Sequence, residues 1–285
     1  MDKKIIVTAD STCDLGEELK QRYGITYTPL HVILDGQDYR DGVDVDPDRI
    51  YQVYREKKIL PKTAAFNVQE YIDFFRPWTE QGYEVIHVNI GSALSSSYQN
   101  CCLAAEELPG VHPVDSASLS TGSGLMVLEI ADRIAEGRSV EEILDEIPKI
   151  RENCHASFVI DTLDFLYKGG RCSALAMLGA NLLQIKPSIE VSTQDGSMDV
   201  AKKYRGSLDK ALSQYVRDKL SGRTDLKTHR IFITHSGISQ ERIDMVRELI
   251  GQYAKFDEIL VTRAGCTISS HCGPNTLGIL FMTKY

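Results

Sequence analysis

The sequence predicts an α/β protein of two domains: an N-terminal α/β domain on a parallel sheet and a C-terminal α+β domain with a mixed or antiparallel sheet. Its 285 residues exceed the roughly 100–200 residues of one typical domain. Short apolar runs alternate with helical patterns in the first half, which is typical of βαβ units. The second half contains the turn Gln194-Asp195-Gly196-Ser197, which predicts a hairpin. We place the boundary between the domains at 1–158 and 159–285.

The first half of the chain is predicted to alternate strands and helices. Each apolar run is followed by a polar turn and then by apolar residues at helical spacing. Strands are expected over 5–9, 26–34, 85–90 and 111–115, and helices over 15–23, 46–57, 67–75, 97–108, 124–136 and 140–147. This order favours a parallel sheet with helices on both faces.

Three of these helices have features that strengthen their prediction. Asp46 before Pro47 combines an N-cap residue with proline at the first helical position. Asn67 followed by Glu70 has the spacing of a capping box. The helix over 124–136 is apolar around most of its circumference, so we expect it to be buried.

The second half is predicted to begin with a strand at 157–160. The segment KGGRCS at 168–173 then opens a helix of about ten residues. Strands at 185–192 and 198–204 flank the hairpin turn. Further elements are expected as helices over 208–220 and 240–252 and as strands over 230–234, 258–262 and 277–282.

Composition and charge exclude several classes of protein. A hydrophobic fraction of 42% and a charged fraction of 25% are ordinary for a folded chain. The net charge of −8 argues against nucleic-acid binding and against electrostatic adhesion to anionic membranes. No apolar run approaches the ~18–20 residues of a spanning helix, and the apolar run near the N-terminus is too short for a signal peptide. Seven cysteines without a CxxC pair predict a cytoplasmic protein with free, mostly buried thiols.

The familiar catalytic and metal-binding motifs are absent from the sequence. It has no P-loop, no HExxH, no EF-hand spacing and no GxSxG elbow. Cys266, His271 and Cys272 do not form part of an evident four-ligand set, so we expect no metal site. The acidic residues between 35 and 46 have the wrong spacing for a calcium loop and are interpreted as a solvated loop.

The positive signal is a set of small polar residues at predicted strand ends. Asp10-Ser11-Thr12 follows the first strand, Lys62-Thr63 precedes a helix, and a serine-rich turn at 91–97 joins a strand to a helix. Ligands of open α/β sheets bind at this edge, and a helix N-terminus with added hydroxyls favours an anion such as a carboxylate or phosphate. Simple N-capping by serine is the alternative at this point.

Two further features could contribute to such a site. His271 lies in SSHCGPN, where a Gly-Pro turn would expose its ring, although a lone histidine is more often structural. The basic residues form two clusters, Lys168 with Arg171 and Lys202 with Lys203 and Arg205. Arg171 follows Gly169-Gly170 at a predicted helix start and is therefore well placed to meet an anion.

Motifs along nearly the whole chain resemble the DegV family, the fatty-acid-binding proteins that serve as lipid-binding subunits of bacterial fatty acid kinase. No single motif is decisive, but their combination in this order is specific. The motifs are VTADSTCDL near the start, YRDGVDV at 39–45, PKT at 61–63, SALSSSYQ at 92–99, VDSASLSTGSGLMVLE at 114–129, DTLDFLYKGGRCS at 161–173, IKPSIEV at 185–191 and HCGPNTLGILF at 271–281.

The resemblance implies a non-catalytic protein that buries the tail of a long-chain fatty acid and presents the carboxylate to a separate kinase subunit, which converts it to an acyl-phosphate. It implies that Thr63, Ser95, the backbone N–H of Ser96 and His271 lie at the carboxylate. It places Arg171 and Arg205 at the kinase subunit or the phosphate.

The expected ligand is palmitate- or oleate-like, with no other cofactor, no catalytic residue and no metal. The expected partners are the fatty acid, the catalytic subunit of the kinase and, transiently, a membrane surface, but no nucleic acid.

The sequence departs from the family pattern at three places. Residues 64–67 read Ala-Ala-Phe-Asn where Ser-Gln-Pro-Ser is usual, and Ser95-Ser96-Ser97-Tyr98 replaces Ser-Gly-Thr-Tyr. Asn275 stands where glycine is usual. The first departure could reshape the mouth of the lipid pocket, while the hydroxyls of Thr63 and Ser95 are retained.

Two other functions are kept open by the sequence. One is a serine hydrolase acting on acyl substrates, with Ser95 as nucleophile, His271 as base and Asp115 or Asp10 as the acid behind the histidine. The other is a sensor of small metabolites or a scaffold that binds only a protein partner.

Overall fold

The computed structural model of the chain describes residues 4–174 and 185–285. The strands in these ranges are β1 (Ile5–Asp10), β2 (Thr26–Thr28), β3 (His31–Leu34), β4 (Gln37–Arg40), β5 (Lys62–Ala64), β6 (Glu84–Asn89), β7 (Val111–Asp115), β8 (Cys154–Val159), β9 (Ile185–Val191), β10 (Met198–Arg205), β11 (Leu226–His235), β12 (Glu258–Arg263) and β13 (Leu277–Thr283). The helices are α1 (Gly16–Tyr23), α2 (Pro47–Lys57), α3 (Val68–Thr79), α4 (Ser97–Glu107), α5 (Thr121–Ala135), α6 (Val140–Glu152), α7 (Asp164–Gly169), α8 (Leu208–Leu220), α9 (Gln240–Tyr253) and α10 (Cys266–Cys272).

The predicted fold class is confirmed by the two main sheets. In the first half, β2-β1-β6-β7 form a sheet in which every neighbouring pair is parallel. In the second half, the described strands form a mixed sheet in the order β10-β9-β8-β13-β11-β12, with β11 and β12 parallel and the other pairs antiparallel. The predicted hairpin is the β9–β10 pair, which Gly196 closes with a φ of +76°.

One predicted strand is wrong in its extent. The run 26–34 is divided into β2, which pairs with β1, and β3, which belongs to a separate antiparallel sheet in the order β4-β3-β5. Pro29 lies at the division, where it can donate no hydrogen bond to a ladder. The helix start predicted at 168–173 is wrong, because α7 ends there at Gly169 with Gly170 as its C-cap, so Arg171 follows a helix end and does not begin a helix at that point. The rest of the predicted ten-residue helix falls on 175–184, outside the described residues.

The helix starts confirm the capping predictions. The Asp46 side chain accepts a hydrogen bond from the backbone N–H of Arg49 at 2.8 Å, and Pro47 occupies the first helical position. Asn67 and Glu70 form a complete capping box. These caps satisfy backbone groups that the first helical turn would otherwise leave unpaired.

Helix α5 joins the two main sheets into one core. It packs against β1 and β6 of the parallel sheet and against β8 and β13 of the mixed sheet. Its residues from Thr121 to Ala131 are all buried, which confirms the expectation from its broad apolar stripe. The domain division predicted at residue 158 falls inside β8, and it remains a prediction.

Two further predictions concern the cysteines and the membrane. All seven cysteines lie in the described ranges and carry free thiols, and Cys102 alone among them is not buried. In the part of the chain that the structure describes, no helix is both long and apolar enough to cross a bilayer.

Candidate functional site

A cavity of about 320 Å³ opens where the loops after the parallel strands meet α7 and α10. We call it the main cavity. Ile90 follows β6 and Leu119 follows β7, so the cavity lies at the carboxyl edge of the sheet, as predicted. The described residues that line it are Leu30, Thr63, Ala64, Ala65, Ile90, Leu94, Ser95, Ser96, Leu119, Leu166, Arg171, Met198, Thr267, Ile268, His271 and Cys272. Its wall is therefore mostly apolar, with a few polar groups, as is usual for sites of small molecules.

The structure brings five of the six predicted site residues together. Thr63, Ser95, Ser96, Arg171 and His271 all line the main cavity, although they come from four separate segments of the chain. Arg205 is exposed at the end of β10 and does not line this cavity. Arg171 and Arg205 are therefore not equivalent in position.

His271 and Thr63 form the polar contact across the cavity. The Nε2 atom of His271, on α10, lies 2.8 Å from Oγ1 of Thr63, on β5. The Nδ1 atom of the same ring is buried and has no hydrogen-bond partner among the described residues. A Cβ atom placed on Gly169 would lie 2.4 Å from Nδ1, so the ring fits against α7 only because residue 169 is glycine.

The environment keeps His271 neutral at physiological pH. Burial, together with the positive charge of Arg171, lowers the pKa of His271 from 6.5 to about 4. The unfolded chain takes up a proton at this residue below about pH 6.5, whereas the folded chain does not until about pH 4.

His271 should therefore contribute stability at neutral pH that is lost as the pH falls through the window from about 6.5 to 4. We expect this contribution to reach roughly 3 kcal/mol in the free energy of unfolding. Urea unfolding at pH 7 and pH 4.5 would measure it, and His271→Gln should remove that part of the pH dependence. His229→Gln, at a half-exposed histidine outside the cavity, is the control. If the free energy of unfolding of His271→Gln fell between pH 7 and pH 4.5 as much as that of the wild-type protein, the pH dependence would not come from His271.

The serine turn shapes one side of the cavity mouth. The Oγ atom of Ser95 lies 2.9 Å from Oγ of Ser97 and accepts a hydrogen bond from the Ser97 backbone N–H at 3.2 Å. Ser96 is the exposed N-cap residue of α4, and its side chain makes no capping bond. Hydroxyls and a helix N-terminus thus adjoin the same cavity.

A buried carboxylate lies beneath this turn. Asp10, at the end of β1, accepts hydrogen bonds from the Tyr71 hydroxyl at 2.7 Å and from the Ile90 backbone N–H at 2.9 Å. His87 Nε2 is 3.2 Å from the same carboxylate. Burial raises the pKa of Asp10, but the interactions with His87, together with the hydrogen bonds from Tyr71 and the Ile90 N–H, outweigh it and hold the pKa below its usual range. Asp10 therefore supports the loop at Ile90 and does not line the main cavity.

The interpretation of the acidic segment as solvated is wrong for Asp41. Its side chain is buried and accepts hydrogen bonds from the backbone N–H groups of Cys266 at 2.6 Å and Thr267 at 3.1 Å, at the start of α10. Asp14 accepts a bond from the neighbouring Gly265 N–H at 2.8 Å. These carboxylates fix the short helix that carries His271.

The departures from the family pattern have local explanations. Ala64 and Ala65 line the main cavity, whereas Phe66 is buried in a cluster with Tyr71 and Phe75 and is not among the lining residues. Asn275 has a φ of +62°, a region that asparagine tolerates, and its side chain donates to Asp161 at 3.0 Å.

The side chains of the alternative catalytic triad, Ser95, His271 and Asp115, are not hydrogen-bonded to one another. Within the described ranges, His271 Nε2 is bonded to Thr63, and Ser95 Oγ is bonded to Ser97. Asp115 instead accepts bonds from Ser92 and from the Ala117 N–H. Ser95 thus lacks a hydrogen-bonded base, which is the feature that activates a serine nucleophile.

Arg171 is the cation at the cavity mouth. Its Nη1 donates to the Gly169 carbonyl at 2.8 Å, and its Nε approaches the Leu94 carbonyl at 3.4 Å. No carboxylate of residues 4–174 or 185–285 lies within ion-pair distance of it. The guanidinium therefore faces the opening without a counter-charge from the described chain.

Comparisons with known proteins agree along the whole chain. The family model described as "Uncharacterised protein, DegV family" matches residues 4–284. A DegV domain-containing protein of Clostridium acetobutylicum is 32% identical, and the alignment covers 99% of this chain and 100% of the relative. A DegV family structure from Thermus thermophilus, described as fatty acid binding, has a TM-score of 0.88 at 32% identity and covers 99% of this chain and 100% of that one. A stearic acid-binding protein of Eubacterium ventriosum has a TM-score of 0.84 at 26% identity, with 100% and 99% coverage.

Proposed function

This chain belongs to the DegV family, and from that premise we propose that it binds a long-chain fatty acid in the main cavity. The observation that carries the proposal is a mostly apolar cavity with Thr63, Ser95 and His271 grouped in its wall. The fatty-acid-binding neighbours from Thermus thermophilus and Eubacterium ventriosum, which share this fold over the whole chain, support it.

The acyl tail supplies the affinity in this proposal. Burying about fourteen methylenes at ~0.8 kcal/mol each contributes roughly 11 kcal/mol before the losses of association are counted. The polar residues at the headgroup therefore need not contribute much affinity. Their role is to fix the position of the carboxylate, which matters for a reaction at that group.

A neutral polar site is suited to this role. Thr63 and Ser95 offer hydroxyls, Ser96 offers its backbone N–H, and His271 is uncharged at physiological pH because burial lowers its pKa to about 4. Hydrogen bonds from these groups satisfy a carboxylate without pairing it to a fixed charge. The fatty acid can then enter and leave without breaking a buried ion pair.

The bound carboxylate is the substrate of a separate kinase subunit in this proposal. That subunit transfers a phosphoryl group from a nucleoside triphosphate to a carboxylate oxygen and releases the diphosphate, so this chain needs no catalytic residue. Arg171, which faces the opening without a counter-charge from the described chain, is suited to the added phosphate, and Arg205 to the partner. A cytoplasmic location and transient contact with a membrane belong to the same proposal.

Solvent extraction of the purified protein followed by mass spectrometry is the direct test of lipid binding. We expect about one palmitate- or oleate-like fatty acid per chain. A protein that is isolated empty and that takes up neither palmitate nor oleate would contradict the proposal. It would favour a sensor of small metabolites or a scaffold.

The roles of the arginines are tested with a fatty acid kinase subunit. Arg171→Ala and Arg205→Ala should retain lipid but lower the rate of acyl-phosphate formation, by on the order of tenfold or more for Arg171. Arg138→Ala, at an exposed arginine on the turn between α5 and α6, is a matched control. Loss of lipid from the arginine variants would contradict this division of roles.

A further inference from the structure

A second, smaller cavity of about 20 Å³ adjoins the main cavity, and we call it the distal cavity. The two cavities share three wall residues: Leu119, Ile268 and Cys272. Phe158, Gly278 and Leu280 of the mixed sheet contribute to the walls of the distal cavity alone. The shared side chains therefore form a partition between the main cavity and the space against the sheet.

The distal cavity is suited to an apolar group, although several residues of its wall are polar. Ser120 donates to Asp14 at 2.5 Å, and Thr276 donates to the Cys272 carbonyl at 2.8 Å. Ser236 donates to the Gly273 carbonyl, and Thr234 pairs with Thr121 at 2.6 Å. Since these hydroxyls have protein partners, a water molecule would find few groups to bind. Small cavities with apolar surfaces stay dry and accept apolar ligands.

Leu119 is held in place by a constrained segment of backbone. Ala117 and Ser120 on either side of it have φ values of +44° and +50°, which are rare for residues other than glycine. Cβ atoms on Gly91 and Gly196 would come within 3.0 Å and 2.9 Å of backbone atoms of this segment, so the segment is packed closely from two sides. Strained backbone persists where the surroundings over-determine it, often at ligand sites.

We propose that Leu119 closes the main cavity on the side of the mixed sheet and so sets the longest acyl chain that the protein retains, and that the methyl end of any longer chain would have to enter the distal cavity. The inference rests on the proposed function, because it assigns a specificity-determining residue to the same site. A chain whose end stops at the partition fills the main cavity. A longer chain must displace the Leu119 side chain, which the constrained backbone and the packing on both sides oppose.

Competition binding measures this role directly. The purified protein, freed of lipid, is titrated with palmitate and with arachidate, its saturated homologue longer by four methylenes. Leu119→Ala joins the two cavities, and we expect the ratio of Kd for arachidate to Kd for palmitate to fall at least about tenfold. Leu166→Ala removes the same atoms from the wall of the main cavity only, and it should change the ratio less than about threefold.

The outcomes separate this inference from the proposed function. If the ratio of Kd values changed equally in Leu119→Ala and Leu166→Ala, or in neither variant, the role of Leu119 would be overturned while fatty acid binding remained intact. Failure of the wild-type protein to bind either acid would overturn the proposed function itself. If Leu119→Ala does not fold, Leu119→Val should shift the ratio in the same direction by a smaller factor, and an unchanged ratio in that variant would also overturn the inference.

Discussion

Replacing Asp10 by alanine is expected to lower the free energy of unfolding by about 3–5 kcal/mol. The carboxylate is fully buried and accepts hydrogen bonds from the hydroxyls of Tyr71 and Thr28 and from the Ile90 N–H, and Nε2 of His87 lies 3.2 Å from it. Its removal leaves these groups buried without a partner, which is more damaging than the loss of the bonds themselves. A loss of this size is a large part of the ~5–15 kcal/mol that stabilises an ordinary domain.

Urea unfolding of the wild-type and variant proteins at pH 7 measures this effect. Asp145→Ala, at an exposed position on α6, is the control and should change the free energy of unfolding by less than about 0.5 kcal/mol. Asp10→Asn keeps the shape of the side chain and part of the hydrogen bonding. Its loss of unfolding free energy should therefore lie between those of Asp145→Ala and Asp10→Ala. A loss below about 1 kcal/mol in Asp10→Ala would show that the network is not a principal support of the parallel sheet.

The low pKa of Asp10 adds a dependence on pH with a definite sign. Since the surrounding hydrogen bonds hold the pKa of Asp10 below its usual value of 3.8, the contribution of Asp10 to stability is fully present above that pH. It is lost as the pH falls from 3.8 through the pKa of the folded state. The loss assigned to His271 occurs at higher pH, between about 6.5 and 4. The loss removed by His271→Gln should therefore lie above about pH 4, and the loss removed by replacing Asp10 should lie below pH 3.8.

The fold was predictable from sequence where the hydrophobic pattern was regular. Alternating strands and helices predicted the parallel sheet, and the turn at Asp195-Gly196 predicted the β9–β10 hairpin. β4 and β5 were missed because Gln37–Arg40 and Lys62–Ala64 are short and contain no apolar run. These strands form by pairing with β3, and pairing between distant segments leaves no periodic signal in either one.

The site was predictable only in part. Strand-end position and hydroxyl content singled out Thr63 and the serine turn, whereas the assignment of His271 to the carboxylate came from the family resemblance. The roles of Asp10 and Asp41 were missed, because spacing along the chain cannot show that Asp41 accepts hydrogen bonds from Cys266 and Thr267. An isolated acidic residue appears solvated until the tertiary structure supplies its donors. No local pattern indicates the gap at Gly169 that accommodates the His271 ring either.

Replacing Gly169 by alanine should disable the headgroup site without unfolding α7. Its φ is not positive, so alanine is conformationally permitted, but the new Cβ would lie 2.4 Å from Nδ1 of His271. The ring must move, and the 2.8 Å contact with Thr63 should be lost. Because a displacement of about 1 Å can lower the rate of a positioned reaction about a hundredfold, acyl-phosphate formation should fall by that order while lipid is retained. The pKa of His271, measured by NMR, should rise from about 4 towards 6.5 as the ring becomes more exposed.

Gly170→Ala provides the matched control for this contact. Gly170 has a φ of +68°, so alanine introduces backbone strain of roughly 1 kcal/mol, but its Cβ would meet nothing within 4 Å. We therefore expect a small loss of stability with the pKa of His271 and the kinase reaction unchanged. If both variants lowered the reaction equally, strain in the loop that carries Arg171 would explain the result, and the contact of Gly169 with His271 would not. If only Gly169→Ala slows acyl-phosphate formation, the absence of a side chain at residue 169 is what allows His271 to contact Thr63 at the cavity.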